Sequence, residues 1–284
     1  MTSAPLTYAT LVHEAARRLA GTGIDTARLD AEVLLRHVTG WNATGLFLRY
    51  PDLATSAHAE AFHALIEQRL AGQPVAYLTG TREFMGLAFT VCSHVLVPRP
   101  ETEILVEWAL QRLGSGPVVD IGTGSGAIAV SIAALARRPI DVIATDVSPK
   151  ALATARINAV ALLPPERHSR LTFRDGSLLT PVTGRATLIL ANLPYLTPSQ
   201  IAENPDLEAE PRLALDGGPD GLDLVRTLIS DLPRVLAPKG AVGLEIDPSQ
   251  CPAVESLLRA TWPTASVSTL PDLAGLPRHV TMTT

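Results

Sequence analysis

The chain has 284 residues, 46% of them hydrophobic, and its 28 acidic side chains against 23 Lys and Arg give a formal net charge of −5. That balance argues against broad electrostatic binding of nucleic acid, while the length supports one large or two modest domains with a sizeable core. Cys92 and Cys251 form no CxxC pair, no apolar stretch is long enough to span a bilayer, and residues 1–19 lack the order of a secretory leader, so a reducing, cytoplasmic setting with no membrane partner and no metal is expected.

From Leu6 to about Ala71 apolar residues recur at helical spacing, in Leu11-Val12-Ala15-Ala16-Leu19, in Leu29-Val33-Leu34-His37-Val38 and in Phe62-Leu65-Ile66-Leu70. A small helical bundle is predicted, broken at Gly21-Thr22-Gly23, Gly40-Trp41-Asn42 and Pro51-Asp52, with Asp25 as the N-cap of the second long helix. After Gly72-Gln73-Pro74 the character changes. Residues 84–91 and Val95-Leu96-Val97 read as two short strands joined by Cys92-Ser93-His94. Pro98-Arg99-Pro100 ends that hairpin, and Glu101 and Glu103 open a helix whose buried stripe is Ile104, Leu105, Trp108 and Leu113.

Beyond Pro117 strands and helices alternate. Strands at 118–121, 142–145, 171–173, 188–191 and 241–246 are interleaved with helices at 126–137, 149–162 and 222–236, which predicts a parallel sheet with crossover helices. Residues 267–270 and 279–282 close the chain as a hairpin on that sheet. The expected fold class is α/β, a parallel sheet with crossover helices and a closing hairpin, preceded by a small N-terminal helical bundle and a β-hairpin linker.

The run Asp120-Ile121-Gly122-Thr123-Gly124-Ser125-Gly126 stands at a strand-to-helix junction, where three glycines let the backbone turn sharply and approach a ligand at the carboxyl edge of a parallel sheet. With Ala127 in sixth place it also fits the relaxed dinucleotide pattern, so the loop alone does not separate nicotinamide from other nucleoside sites. Its neighbours do better. Asp120 is a poor companion for a pyrophosphate and suits a cationic amino-acid end; Asp146, closing the next strand, is placed for two ribose hydroxyls. Asp175 could meet an adenine amino group, with Gly176 leaving room for the ring. Each Asp taken singly reads as a helix cap or turn residue. Together with the loop they fit S-adenosylmethionine, which joins a ribose, an adenine and a cationic methionine.

Asn192-Leu193-Pro194-Tyr195 follows the apolar run 188–191 directly. Asn and Pro are ordinary turn residues after a strand, yet here an amide oxygen, a turn carbonyl and an aromatic face come together. Asn192 and the Pro194 carbonyl can accept from a flat NH₂ while Tyr195 covers the plane that carries it. His13-Glu14 begins like a zinc-protease helix, but Arg17 stands where the second histidine must be.

Residues Gly72-Gln73-Pro74-Val75-Ala76-Tyr77-Leu78-Thr79-Gly80, Glu83-Phe84-Met85-Gly86 and Val95-Leu96-Val97-Pro98-Arg99-Pro100-Glu101-Thr102-Glu103 resemble the linker of the protein-glutamine N5-methyltransferases that modify peptide chain release factors, the PrmC/HemK type. The glycine loop, Asp146 and the 192–195 turn are similar to that family's cofactor and substrate motifs. Glu210-Pro211 with Leu213-Ala214-Leu215-Asp216-Gly217-Gly218 resembles its following loop, and Asp272-Leu273-Ala274-Gly275 with Arg278 its last strand motif. Two positions depart: Leu193 stands where the family usually has proline, a variant also seen in ribosomal-RNA adenine dimethylases, and Pro277 replaces a common acidic residue.

The resemblance implies a substrate-docking domain over 1–78, a hairpin linker over 79–97 and a Rossmann-like seven-stranded methyltransferase domain over 98–284. It further implies methylation of the glutamine in the Gly-Gly-Gln loop of class-1 release factors, by a monomer that binds no nucleic acid directly. A glutamine of a ribosomal protein, an exocyclic base amine or a non-enzymatic docking module are the competing readings. Asn192, Pro194 and Tyr195 are the expected catalytic residues and, with Leu193, the substrate contacts. Asp120, Gly122, Thr123, Gly124, Ser125, Gly126, Asp146, Asp175, Gly176 and Asn192 are the expected cofactor contacts.

Overall fold

The computed structural model describes residues 6–284; residues 1–5, with which the expected 1–78 domain begins, lie outside the described residues. The chain divides into two compact units at Gly80/Thr81.

The first unit is a bundle of α1 (Tyr8–Ala20), α2 (Ala27–Thr39), α3 (Ala43–Leu48), α4 (Ser56–Leu70) and α5 (Val75–Thr79). Side chains at Thr7, Asn42 and Thr55 cap α1, α3 and α4 by accepting from backbone N–H groups that the first turn leaves without partners. Leu11, Leu19, Leu34, Leu35, Phe62 and Ile66 are buried together, each contributing about 1.5–3 kcal/mol by leaving water. The buried stripe of α2 differs from the expected one. Ala27, Asp30, Ala31, Leu34 and Leu35 face inward and Leu29 is 58% exposed; the inward turn brings Asp30 to Arg69 of α4 in a largely buried ion pair at 2.8 Å. Thr26, not Asp25, precedes that helix, and no side chain caps it.

In the second unit a hairpin of β1 (Thr81–Phe84) and β2 (Leu87–Thr90) comes first. This corrects the expected pairing of 84–91 with 95–97. Met85 and Gly86 both take positive φ, 52° and 72°, so the apolar run folds back on itself through a two-residue turn. Phe84 and Phe89 carry the hairpin into the core. Residues 92–99 then run on without a strand to α6 (Pro100–Leu110), where Glu103 accepts from the Met85 N–H at 2.6 Å.

The rest is a seven-stranded sheet: β3 (Val118–Ile121), β4 (Val142–Asp146), β5 (Leu171–Asp175), β6 (Ala186–Asn192), β7 (Leu236–Glu245), β8 (Ser266–Pro271) and β9 (Pro277–Thr283). The order is β5-β4-β3-β6-β7-β9-β8, parallel except for β9, which runs antiparallel to both β7 and β8. Intervening helices are α7 (Ala127–Leu135), α8 (Pro149–Leu162), α9 (Pro165–His168), α10 (Pro198–Ala202), α11 (Asp223–Val235) and α12 (Cys251–Thr261). One core cluster joins the sheet to α6, α7 and α8, the other to α11 and α12, so the sheet is covered on both faces. Successive strands step outward from β3 in opposite directions, and β3 and β6 lie side by side in the middle. That reversal opens a crevice at their carboxyl ends.

Candidate active site

The glycine loop leaves β3 and the Asn192 turn leaves β6, with Ile121 and Ala191 in register as parallel neighbours. Two motifs some seventy positions apart in sequence are thereby placed edge to edge. A cavity of about 340 Å³ opens between them. Its floor is Ile121 to Ser125, one side is Asp146, Val147 and Ser148 with Gly176 and Leu178, and the other is Asn192, Leu193 and Pro194. Leu96, Pro98, Arg99 and Thr102 form the wall from the segment entering α6, facing Pro211 and Leu213 from the loop after β6.

Backbone sterics explain the glycines. Gly122, Gly124 and Gly126 all take positive φ, and a Cβ on Gly122 would stand 3.2 Å from Leu193 Cδ2. Hydrogen bonds hold the loop: Thr123 N–H donates to the Thr145 carbonyl at 2.9 Å, and Asn158 Nδ2 donates to the Ser125 carbonyl at 2.8 Å. Asp146 accepts from Gly124 N–H at 2.9 Å on one oxygen and from Ser148 N–H at 2.8 Å on the other. Burial raises its carboxyl above the ordinary value, those backbone donors oppose the rise, and Asp175 adds to it. Its side chain stands on the cavity wall, where two hydroxyls could reach the lone pairs left on its oxygens.

Asp120 is placed differently from the expectation. It is wholly buried beneath the loop and forms no part of the wall; Oδ2 accepts from the Thr123 hydroxyl at 2.6 Å and from Ala129 N–H at 3.1 Å. It braces the loop from below. Burial pushes its carboxyl up to about 7 against the pull of those two bonds, and among the described residues Oδ1 has no hydrogen-bond partner. Asp175 is exposed and off the wall, whereas Gly176 lines it and donates its N–H to the Asp146 carbonyl at 3.0 Å.

On the opposite side, Asn192 Nδ2 donates to the Thr102 hydroxyl of α6 at 3.0 Å. That bond fixes the amide with its oxygen free to accept. Thr102 is 4% exposed and lines the cavity; no local sequence signal marks its partnership, which only the tertiary packing of α6 on β6 reveals. The Tyr195 carbonyl accepts from Gln250 Nε2 at 2.9 Å, and Leu196 exchanges backbone bonds with Leu215 and Gly217, so the turn is anchored from behind. Burial first, then the charge of Glu245, pushes the Tyr195 phenol up to about 12, and it stays protonated at neutral pH. Tyr195 itself is half-buried and does not line the cavity. Leu193 does line it and is 4% exposed, packed into the α11 and α12 core.

In the sequence Glu210 stands out only within the loop that resembles the family's. In the structure its buried carboxylate accepts from Val97 N–H at 3.0 Å and from Arg99, tying the loop after β6 to the segment before α6.

A family model described as the PrmC N-terminal domain matches residues 10–80, and one described as a methyltransferase small domain matches residues 99–217. The release factor glutamine methyltransferase of Moorella thermoacetica is 43% identical over 270 residues, covering 93% of this chain and 94% of that protein. Its counterpart in Deinococcus radiodurans is 40% identical over 275 residues, covering 95% and 96%. Among solved structures, a methyltransferase from Pyrococcus furiosus aligns with a TM-score of 0.52 at 21% identity, over 78% of this chain and 96% of that one. The Mettl16 catalytic domain in complex with an RNA hairpin aligns at 0.58 and 15% identity over 73% and 79%; both likenesses speak for the fold alone.

Proposed function

Since the chain belongs to the release factor glutamine methyltransferases, we propose that it transfers a methyl group from S-adenosylmethionine to the side-chain amide nitrogen of the glutamine in the Gly-Gly-Gln loop of class-1 release factors. The observation that carries the reading to this site is the pairing of a glycine-loop cavity with an amide whose donor end is already taken by Thr102.

The cavity's residues suit that cofactor. At Gly122 the positive φ and the closeness of Leu193 disfavour a side chain, Asp146 keeps lone pairs for a ribose, and the wall is mainly apolar around Leu96, Ile128 and Leu178. Bound there, the cofactor supplies a methyl group on positively charged sulfur. The protein's own task is orientation. Asn192 Oδ1 and the Pro194 carbonyl accept from the two N–H bonds of the glutamine amide and aim its nitrogen into the cavity. An amide nitrogen is a weak nucleophile because its lone pair is delocalised. Acceptors fixed beforehand stabilise the positive charge that grows on it, without rearranging as it reacts.

The same reading makes the 1–78 region the substrate-docking domain, 79–97 the linker and 98–284 the transfer domain. It makes the protein a cytoplasmic monomer whose partner is a protein and not a nucleic acid. Among the described residues no helix is long and apolar enough to cross a membrane. An exocyclic base amine would fit the same two acceptors. The experiment is to incubate the protein with a class-1 release factor and, separately, with ribosomal RNA, each with methyl-labelled S-adenosylmethionine. Label on the Gly-Gly-Gln glutamine is expected; label only in RNA, or none, would sink the proposal.

A further inference from the structure

Behind the Asn192 turn lie two titratable side chains that the amide clamp leaves unused. Register sets Asn192 of β6 against Glu245 of β7, and Glu245 against His279 of β9. Strand alternation settles which way they point. Leu188, Leu190 and Ala241 pack on the α6 side, while Ile189, Val242 and Val280 pack on the other. Asn192, Glu245 and His279 therefore share the α6 face, in one row across three strands.

Glu245 is 2% exposed and His279 0%, with Glu245 Oε2 lying 3.5 Å from His279 Nε2. Among the described residues, neither that oxygen nor either ring nitrogen has a hydrogen-bond partner. A buried, unpartnered pair of this kind is a poor device for stability, since apolar residues of like volume are often neutral or better there. Its place in the strand order suggests another use. The cofactor loop ends β3, the amide clamp ends β6 and Glu245 ends β7, so on the methyl-transfer reading the amide nitrogen would sit between the cofactor's strand and the strand that carries this carboxylate. After burial, the charge of Glu245 is what raises the nearby Tyr195 phenol, with Arg278, Arg99 and Asp247 as the other charged groups that act on it.

We propose that Glu245, seated against His279, supplies the negative charge that stabilises the cation formed on the substrate's amide nitrogen, and that this buried pair is kept for that purpose at the expense of stability. The inference rests on the methyl-transfer reading above. As the carbon–nitrogen bond forms, the carbon–sulfur bond breaks and leaves its electron pair on sulfur; the nitrogen bears the positive charge until one N–H proton leaves to water. Glu245 does not line the cavity and acts at one remove, as a positioning residue, about one strand spacing of ~4.8 Å beyond Asn192. In buried surroundings a carboxylate acts over such distances with little screening.

E245Q keeps the shape and removes the charge. The expected result is a kcat lower by about tenfold, with the KM for release factor and the Kd for S-adenosylmethionine within about twofold, and a thermal unfolding midpoint equal to or above that of the wild type. E245D, which retracts the charge by one methylene, should fall between. A wild-type kcat in E245Q overturns the inference, as does a loss confined to KM or one that comes with a lowered unfolding midpoint. If the wild type itself transfers no methyl to the release factor in the same assay, it is the methylation reading that falls.

Discussion

The two strand ends that meet at the cavity are finished in opposite ways. After β3, polar groups are committed to the chain itself: Thr123 to Asp120 and Thr145, Gly124 and Ser148 to Asp146, and Asn158 to Ser125. After β6, Asn192 commits its donor to Thr102, and its oxygen is left for a partner from outside. Carboxylates on the loop side work as struts. On the clamp side, the Asn192 oxygen is held still and has no partner among the described residues, which on the proposed reading suits a group that must meet a new amide at every turnover. On the proposed reading, one side is prebuilt for a ligand that fills a fixed shape and the other for a reaction that creates charge.

Removing the clamp's acceptor should separate the two sides most sharply. Asn192→Ala is expected to lower kcat by about 10²–10³-fold while S-adenosylmethionine affinity, measured by calorimetry, changes by less than about threefold. A parallel loss of cofactor binding would erase the distinction between strut and clamp. On the loop side the expected signal is stability. Folded Asp120 holds its proton to about pH 7, against 3.8 ordinarily, so folding favours the protonated acid; the stability this confers is complete below about pH 4 and is lost as pH rises through about 7. Denaturant unfolding of Asp120→Asn should be free of that slope and gain on the wild type by up to about 4 kcal/mol between pH 4 and pH 8.

Thr102→Val tests the anchor of the clamp. It should slow transfer by about tenfold with cofactor affinity intact, because Asn192 then loses its fixed orientation. The smallest effect is expected at the residue that departs from the family pattern. Leu193 turns its side chain into the core and toward Gly122, away from the face Asn192 presents, so Leu193→Pro should leave glutamine methylation within about threefold of wild type, read by label incorporation. A switch of substrate in that variant would show that residue 193 shapes the clamp after all.

Local pattern made much of this legible. Alternating strands and helices announced the parallel sheet, and the glycine loop and the Asn192 turn were visible as motifs at strand ends. What escaped depends on contacts between distant segments. Nothing near Thr102 hints that its hydroxyl will meet an amide 90 positions away, and nothing near Glu210 that it will accept from Val97. Asp120 was read by its closeness to the loop, but strand alternation turns it under the floor. The hairpin's true turn is hidden in the sequence because Phe84 to Val91 is apolar almost throughout, and a two-residue turn at Met85-Gly86 leaves little mark on hydrophobicity. Leu29 falls outside the buried stripe of α2, which takes in Asp30, paired with Arg69, in its place.

Asn158 of α8, described above for its hold on the glycine loop, also reaches the hairpin. Its amide accepts from the Thr90 N–H at 2.7 Å and donates to the Thr90 carbonyl at 2.9 Å. Those are the two bonds that a third strand would make with β2 at that residue. A two-stranded ribbon presents open edges where a stray chain can add itself and seed aggregation. Here one side chain stands in for the missing strand at Thr90, so the residue that steadies the loop also closes off that point on the ribbon.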